Sequence, residues 1–145
     1  MINQLQGVFR CLEKHNVRYL IIGGIASILY GVPRTTFDLD ILIEATIENA
    51  SLLLDAFTEA GMGTALLTTP EKILETEITI FQDRVRIDVQ TSTPGIEFET
   101  SWNNKNTVDL KGQKIFLVSK EDLIASKKAA GRDKDIEDVR LLSME

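Results

Sequence analysis

The spacing of apolar residues predicts three helices in the first half of the chain. Apolar positions recur every three or four residues from Ile2 to His15 and again from about Ile47 to Ala60, as they do on one face of a helix. Thr46 is the expected N-cap of the second of these helices, and Gly61 is the residue expected to stop it. A shorter helix is predicted from Ile25 to Tyr30.

Runs that are apolar throughout, or apolar at every second position, predict strands. They are Arg18–Ile22, Asp38–Glu44, Thr76–Gln82, Val85–Thr91, Val108–Leu110 and Lys114–Val118. The third and fourth runs form a predicted hairpin that turns at Asp83 and Arg84. The last two form another short pair around Lys111 and Gly112.

Two helices are predicted to finish the chain. Ser119, followed three residues later by Asp122, is a capping-box pattern at the start of the first, and Gly131 ends it. Asp133 is the expected cap of the last helix. The apolar positions of that helix are Ile136, Val139 and Leu142. This order of elements predicts an α/β (α+β) fold for residues 1–145 as one domain, a mixed β-sheet with helices packed against it and two C-terminal helices.

The composition narrows the setting in which the protein works. The 145 residues are 43% hydrophobic, with no apolar run as long as a membrane span and no signal-peptide pattern. A single cysteine, Cys11, and a single histidine, His15, argue against a disulfide framework and against a zinc site built from Cys and His. We therefore expect a cytoplasmic protein without membrane contact.

The acidic character of the chain limits its partners further. The formal net charge is −6, and eleven acidic residues stand against three basic ones between Glu44 and Glu99. Such a surface repels a phosphate backbone, so general nucleic-acid binding is not expected. A small basic pocket inside an acidic protein is compatible with these numbers.

Three aspartates carry the candidate chemistry. Asp38 and Asp40 lie two apart on a predicted strand and therefore point to the same face, and Asp88 lies between apolar neighbours on a later strand. Carboxylates that are held side by side repel one another unless water or a cation neutralises them. Oxygen ligands of this kind suit Mg²⁺. Taken singly, aspartates in these positions more often belong to a solvated strand face, and a Gly-Gly pair is usually a turn or a tight strand-to-helix junction.

The order of these features resembles the DNA polymerase β-type nucleotidyltransferase superfamily. Its signature is an apolar residue before Gly-Gly or Gly-Ser, a spacer, Asp-x-Asp among apolar residues, and a third acidic residue on a later strand. Here Gly23-Gly24 is followed by thirteen residues, Asp38-Leu39-Asp40, and then Asp88. The segments 30–40 and 119–140 resemble a narrower group, the stand-alone bacterial and archaeal nucleotidyltransferase-like proteins related to toxins of abortive-infection systems. EF-hand and P-loop patterns are absent from the sequence.

The resemblance implies a nucleotidyltransferase fold and a two-metal mechanism. Asp38 and Asp40 would hold two Mg²⁺ ions about 3.5–4 Å apart between an NTP and the acceptor oxygen. Asp88 would bind the metal on the acceptor side and help to deprotonate the attacking hydroxyl. Gly23 and Gly24 would let the backbone approach the phosphates.

The chain departs from many members of the superfamily at Gly24, where they have a serine that contacts the phosphates. Ser27, one helical turn later, or Arg34, in the loop before the aspartates, is the expected substitute. Arg34 is equally compatible with an ion pair to a surface acid.

The C-terminal charges have two interpretations as well. Lys127 is a candidate for the nucleotide phosphates by resemblance, while a solvated face is the ordinary interpretation of Lys127, Lys128 and Arg132 together. Asp135 and Asp138, at i and i+3 of the last helix, are expected to serve as capping charges or to pair with Arg132.

The predicted activity is therefore Mg²⁺-dependent transfer of an NMP from an NTP, with ATP among the donors, to an acceptor hydroxyl. The acceptor is a small molecule, a tRNA end or a protein side chain, and the sequence does not choose among them. A protein of this fold that acts without turnover, as one partner of a toxin–antitoxin-type pair, is the alternative. A metal-dependent phosphohydrolase is a third, weaker one.

Overall fold

The computed structural model describes residues 2–144. Its helices are α1 Ile2–Lys14, α2 Gly23–Leu29, α3 Ile47–Glu59, α4 Pro70–Leu74, α5 Phe98–Asn103, α6 Lys120–Ala130 and α7 Asp133–Leu142, with a 3₁₀ turn at Gly63–Leu67. Its strands are β1 Tyr19–Ile22, β2 Asp38–Ile43, β3 Ile78–Gln82, β4 Arg86–Gln90, β5 Asn106–Leu110 and β6 Gln113–Leu117.

The strands form one mixed sheet in the order β3-β4-β2-β1-β6-β5. Strand β2 runs parallel to β4, and β1 runs parallel to β6, while the other neighbours are antiparallel. The predicted α/β (α+β) architecture, a mixed sheet covered by helices and followed by two C-terminal helices, is confirmed. No helix within residues 2–144 combines the length and the hydrophobicity that a bilayer crossing requires.

Alternation along the strands gives the sheet one apolar face and one face that carries the aspartates. Helices α1 and α3 cover the apolar face: Phe9 of α1 stacks on Tyr19, and Phe57 of α3 meets Phe81 edge to face at 5.0 Å. On β2 the apolar partners Leu39 and Ile41 are fully buried on that side. The core therefore fixes β2 and β4, the strands that carry the three aspartates.

Most predicted helix caps are confirmed. The hydroxyl of Thr46 accepts a hydrogen bond from the Asn49 amide, and the hydroxyl of Ser119 accepts one from the Asp122 amide. Gly131 ends α6 in the left-handed conformation, with φ of 67°. The prediction that Asp133 caps the last helix is wrong, because Asp133 is the first residue of α7, after the N-cap Arg132.

The apolar stripe predicted for α7 is also wrong at one position. Ile136 is 62% exposed, whereas Leu142 is buried as expected. The residues that α7 buries near its start are Asp135 and Asp138, whose side chains meet basic groups from other elements. Charge pairing, and not hydrophobicity, therefore decides which face of this helix is turned inward.

Candidate active site

The parallel pairing of β2 and β4 brings the three aspartates together. In its register Asp40 stands opposite Asp88, and Asp38 stands opposite Arg86. Each of the three aspartates offers a carboxylate oxygen, and these oxygens all lie within 4.8 Å of one another. The three aspartates that the resemblance assigns to one metal site thus lie together on one face of the sheet.

Repulsion within this triad is visible in the pKa of Asp40. Burial of the carboxyl group, reinforced by the negative charges of Asp38 and Asp88, raises the pKa of Asp40 to about 7, although Lys134 and Lys127 act in the opposite direction. At neutral pH the metal-free triad thus holds a proton for part of the time. A cation that binds all three carboxylates would displace it.

Asp88 has a basic partner that sequence reasoning missed. The Arg86 guanidinium donates from Nε to Oδ1 of Asp88 at 2.9 Å and from a terminal nitrogen to Oδ2 at 3.2 Å. The two residues lie two apart on β4 and so share a face of the sheet, and this spacing could have predicted their contact from the sequence. This bidentate contact fixes the orientation of the Asp88 carboxylate.

The two glycines allow the backbone to approach the triad closely. Gly23 has φ of +70°, and a Cβ atom at this position would overlap with Oδ2 of Asp40. A Cβ atom at Gly24 would stand 3.1 Å from the Thr36 hydroxyl. Both glycines line the cleft as predicted, and Gly23 in particular leaves room only for hydrogen beside the carboxylate.

Ser27 does not serve as the substitute hydroxyl. It is fully buried, and its hydroxyl donates to the carbonyl oxygen of Gly23 at 3.3 Å, because the helical spacing turns it away from the cleft. The hydroxyl that does line the cleft is that of Thr36, which donates to Oδ1 of Asp38 at 3.1 Å. Ser27 is therefore not placed at the cleft, and Thr36, which is, was not identified from the sequence.

Lys127 is a buried residue and not part of a solvated face. Its side chain is 7% exposed, and Nζ lies 2.8 Å from Asp138 and 3.6 Å from Asp135. Arg34 also reaches Asp138, at 2.5 Å, so the ion pair considered for Arg34 exists, but with a buried acid. Both basic groups border the cleft at the same time.

Asp135 holds a further basic residue at the edge of the cleft. Arg132 donates to it from Nε at 2.6 Å, so the predicted pair of these two residues is confirmed. Burial raises the pKa of Asp135, but the hydrogen bonds and charge of Arg132, with the charge of Lys127, outweigh burial and keep the pKa below its usual range. Asp135 is thus an anion that anchors positive charge.

Together these groups line a cleft of about 260 Å³, which we call the triad cleft. Its basic residues are Arg34, Arg86, Lys127, Arg132 and Lys134, and its acidic residues are Asp38, Asp40, Asp88 and Asp135. A larger groove of about 390 Å³ near Met62 and Arg84 contains none of the triad and has no comparable chemistry. The triad cleft is the candidate active site.

Known structures and one family resemble this chain. A candidate nucleotidyltransferase from Thermotoga maritima has a TM-score of 0.60 and 18% identity, over 97% of this chain and 90% of its own. An antigenic nucleotidyltransferase-like protein from Paracoccidioides brasiliensis has a TM-score of 0.57 and 20% identity, over 95% of this chain and 72% of its own. No curated protein matches the chain. A family model, however, covers residues 2–143, and the chain belongs to that family, the nucleotidyltransferases of unknown function DUF6036.

Proposed function

We propose that the protein transfers an NMP from an NTP to an acceptor hydroxyl, with Mg²⁺ as cofactor and pyrophosphate as the second product. The observation that carries this proposal is the convergence of Asp38, Asp40 and Asp88, whose carboxylate oxygens lie within 4.8 Å of one another in a cleft that five basic residues also line. Family membership supports the same class of reaction.

The donor set fits a hard divalent cation. It consists of carboxylate oxygens alone, the ligand type that Mg²⁺ takes in company with substrate phosphates. The raised pKa of Asp40 is consistent with this assignment, since burial and the neighbouring charges of Asp38 and Asp88 disfavour its ionised form in the absence of a cation. When bound, two such ions would polarise the phosphate and lower the cost of ionising the acceptor hydroxyl.

The residues of the triad have separate tasks in this proposal. Asp38 and Asp40, two apart on β2, would hold the metal ions, which would supply positive charge for the triphosphate. Asp88 faces the acceptor and takes the proton from its hydroxyl, while Arg86 keeps the carboxylate oriented. The acceptor oxygen then forms a bond to the α-phosphorus as the bond from that phosphorus to the bridging oxygen breaks. The bonding electrons leave with pyrophosphate.

The basic residues of the triad cleft provide for the triphosphate and for the departing pyrophosphate. Arg34 and Lys127 are held at its border by Asp138, and Arg132 by Asp135, so their charges are in place before the ligand arrives. Electrostatic stabilisation is most effective when the charges need no reorganisation during the reaction. An acidic protein thus offers a local site for a polyanion.

Label transfer tests the proposal directly. Purified protein is incubated with each of the four NTPs, labelled at the α-phosphate, with Mg²⁺ and with three acceptor pools: small metabolites, tRNA, and cellular protein. One pool should become labelled, and pyrophosphate should appear in equal amount. Asp38→Asn should abolish both signals, whereas Glu137→Gln, which changes an exposed acid paired with Arg140 on α7, should leave both intact.

The alternatives give different results in the same assay. A metal-dependent phosphohydrolase would release NMP or phosphate without labelling any pool. A partner module without turnover would give neither label nor pyrophosphate at any NTP concentration, and that result would refute the proposed enzymatic activity. The cytoplasm, where NTP and Mg²⁺ are available, remains the location that we expect.

A further inference from the structure

The sheet has two edge strands, β3 and β5, and they differ in how they are protected. Edge strands expose unpaired backbone groups, which proteins usually block with charged residues, proline, bulges or covering groups. Strand β5 carries the charged Asp109, and the side-chain amide of Gln6 on α1 donates to the carbonyl oxygen of Leu110 at 3.2 Å. Strand β3, with the sequence Ile-Thr-Ile-Phe-Gln, contains no charged residue and no proline, and it pairs with β4 without a bulge. The β3 edge thus lacks the protection that the β5 edge has.

The pairing of β3 with β4 shows which backbone groups of β3 point outward. The amide of Thr91 donates to the carbonyl oxygen of Glu77, and the amide of Asp83 donates to that of Val85, at the two ends of the hairpin. In an antiparallel ladder, hydrogen-bonded pairs alternate with pairs that are not, so the even-numbered residues of β3 turn their N–H and C=O groups away from β4. These exposed residues are Ile78, Ile80 and Gln82. A further strand can pair with them without disturbing the sheet.

Two side chains make this edge apolar on the face of the sheet that carries the aspartates. Ile78 is 50% exposed and Ile80 is 53% exposed. Ile80 stands opposite Asp88 in the register, and Ile78 also lines the triad cleft. Exposed β-branched side chains suit an added strand, because side chains directly across from them on the new strand would cover them. The added strand would lie about 10 Å from β4, two strand spacings away, and would form one rim of the triad cleft.

The ends of the same edge are acidic. Glu77 and Asp83 lie just outside β3, at odd-numbered positions that alternate with Ile78 and Ile80, and both are exposed, as is Glu75. No basic residue occurs between positions 75 and 83. This charge attracts a basic segment and repels the phosphate backbone of a nucleic acid. It also disfavours a second copy of this chain, since pairing of two β3 edges would bring like charges together.

We propose that β3 binds an extended, basic segment of a partner protein, which adds to the sheet as a seventh, antiparallel strand. Strand addition takes its affinity from main-chain hydrogen bonds and its selectivity from alternate side chains. The residues of the segment that hydrogen bond to β3 would place apolar side chains beside Ile78 and Ile80. The residues between them would turn basic side chains to the other face, where Glu77 and Asp83 lie. The proposal concerns binding alone and holds whether or not the protein transfers an NMP.

Backbone-methylated peptides test the strand addition on the full chain. Two peptides of alternating Lys and Val, blocked at both ends, are N-methylated either at every lysine or at every valine, so that each keeps the N–H groups of one edge. The lysine-methylated peptide should bind, because its valine N–H groups can face β3, and the valine-methylated peptide should bind about tenfold more weakly or less. A peptide of alternating Glu and Val, methylated at every glutamate, should be weakened by about tenfold as well, because the acidic edge repels it.

Three results with these peptides would overturn the proposal. Equal affinity of the two Lys–Val peptides would show that the backbone of β3 does not bind them. Equal affinity of the Lys–Val and Glu–Val peptides would contradict the basic partner. Failure of the lysine-methylated peptide to bind at millimolar concentration would contradict the docking surface itself.

Amide hydrogen exchange, measured residue by residue, locates the bound peptide. The lysine-methylated peptide should slow exchange at Ile78, Ile80 and Gln82, whose amides point outward, and leave Thr79 and Phe81 unchanged, because their amides already pair with β4. Binding without this alternation would overturn the proposal. Slow exchange at the same three amides in the protein alone, increasing with its concentration, would identify a second copy as the occupant and would overturn it too.

A charge reversal beside β3 tests the preference for a basic segment. Glu77→Lys should weaken binding of the lysine-methylated peptide by about threefold or more, since it replaces an attraction by a repulsion at an exposed position. Glu137→Lys, which makes the same change at an exposed acid of α7, is the matched control and should bind like the wild type. Equal affinity of the two variants would contradict the role of the acidic edge.

Discussion

The two walls of the triad cleft use charge in opposite ways. On the sheet side, Asp38, Asp40 and Asp88 place like charges together, and burial with these charges raises the pKa of Asp40 to about 7. On the helix side, Asp138 is 4% exposed and lies between Arg34 and Lys127, so that opposite charges satisfy one another. We call the sheet side the acidic wall and the helix side the basic wall. The negative charges of the acidic wall need a cation to balance them, whereas the charges of the basic wall balance one another within the protein.

This difference shows how a neutralising substitution can reveal function. Removal of one partner from a buried ion pair leaves an uncompensated charge and destabilises the fold. Removal of one charge from a set of carboxylates that repel one another stabilises the folded state. The same change from Asp to Asn should therefore have opposite effects on the free energy of unfolding at the two walls, and only the acidic wall should lose metal binding.

The largest effect on stability is expected at the basic wall. Asp138→Asn removes the partner of two basic groups, one of them the buried Lys127, and should lower the free energy of unfolding by about 3–5 kcal/mol. Urea denaturation of the metal-free protein measures this change. Glu137→Gln on the exposed side of the same helix is the matched control and should unfold like the wild type. Equal stability of Asp138→Asn and Glu137→Gln would show that the buried ion pairs of Asp138 do not stabilise the folded protein.

A somewhat smaller effect is expected where the Gly-Gly backbone meets the acidic wall. Gly23→Ala imposes a left-handed φ on alanine and pushes a methyl group into the Asp40 carboxylate, which should cost about 3 kcal/mol and abolish Mg²⁺–NTP binding. Gly112→Ala shares the positive φ, at +84°, but its methyl group would meet no other atom of residues 2–144 within 4 Å. The two variants thus separate backbone strain from the clash. Retention of Mg²⁺–NTP binding in Gly23→Ala would contradict the close contact.

The smallest expected effect is a gain in stability from the substitution Asp40→Asn. Because the folded pKa of about 7 lies above the ordinary value of 3.8, the protonated group favours folding at low pH, and that contribution is lost as the pH rises toward 7. The neutral asparagine side chain mimics the protonated carboxyl group, so Asp40→Asn should raise the metal-free free energy of unfolding by about 2 kcal/mol at pH 8. Urea denaturation at several pH values should show that the difference disappears near pH 4. A constant difference across this pH range would rule out the titration of Asp40 as its source.

The sequence was informative where short-range periodicity decides the structure. Alternation along β2 and β4 was enough to place Asp38, Asp40 and Asp88 on one face, and the apolar neighbours of Asp88 identified it as unusual. The helices α4 and α5 were missed, because five and six residues are too few to display a helical period.

Other features depend on partners that are distant along the chain. Arg34 and Asp138 are 104 positions apart, and no local pattern reports that they meet. The burial of Asp138 follows from this pairing, and it is why Ile136, which was predicted to be buried, is exposed on α7. Ser27 was misplaced for a local reason: α2 begins at Gly23 and not at Ile25, and the Ser27 hydroxyl bonds to the Gly23 carbonyl within that helix.

Whether the triad binds metal and an NTP can be measured by comparing the melting temperatures of the wild type and Asp40→Asn at pH 8. In the absence of ligands, Asp40→Asn should melt at the higher temperature. With Mg²⁺ and the preferred NTP together, the wild type should gain several degrees because the ligands bind only the folded state. Asp40→Asn should gain nothing. An equal rise in both proteins, or no rise in the wild type at millimolar Mg²⁺ and NTP, would contradict the account.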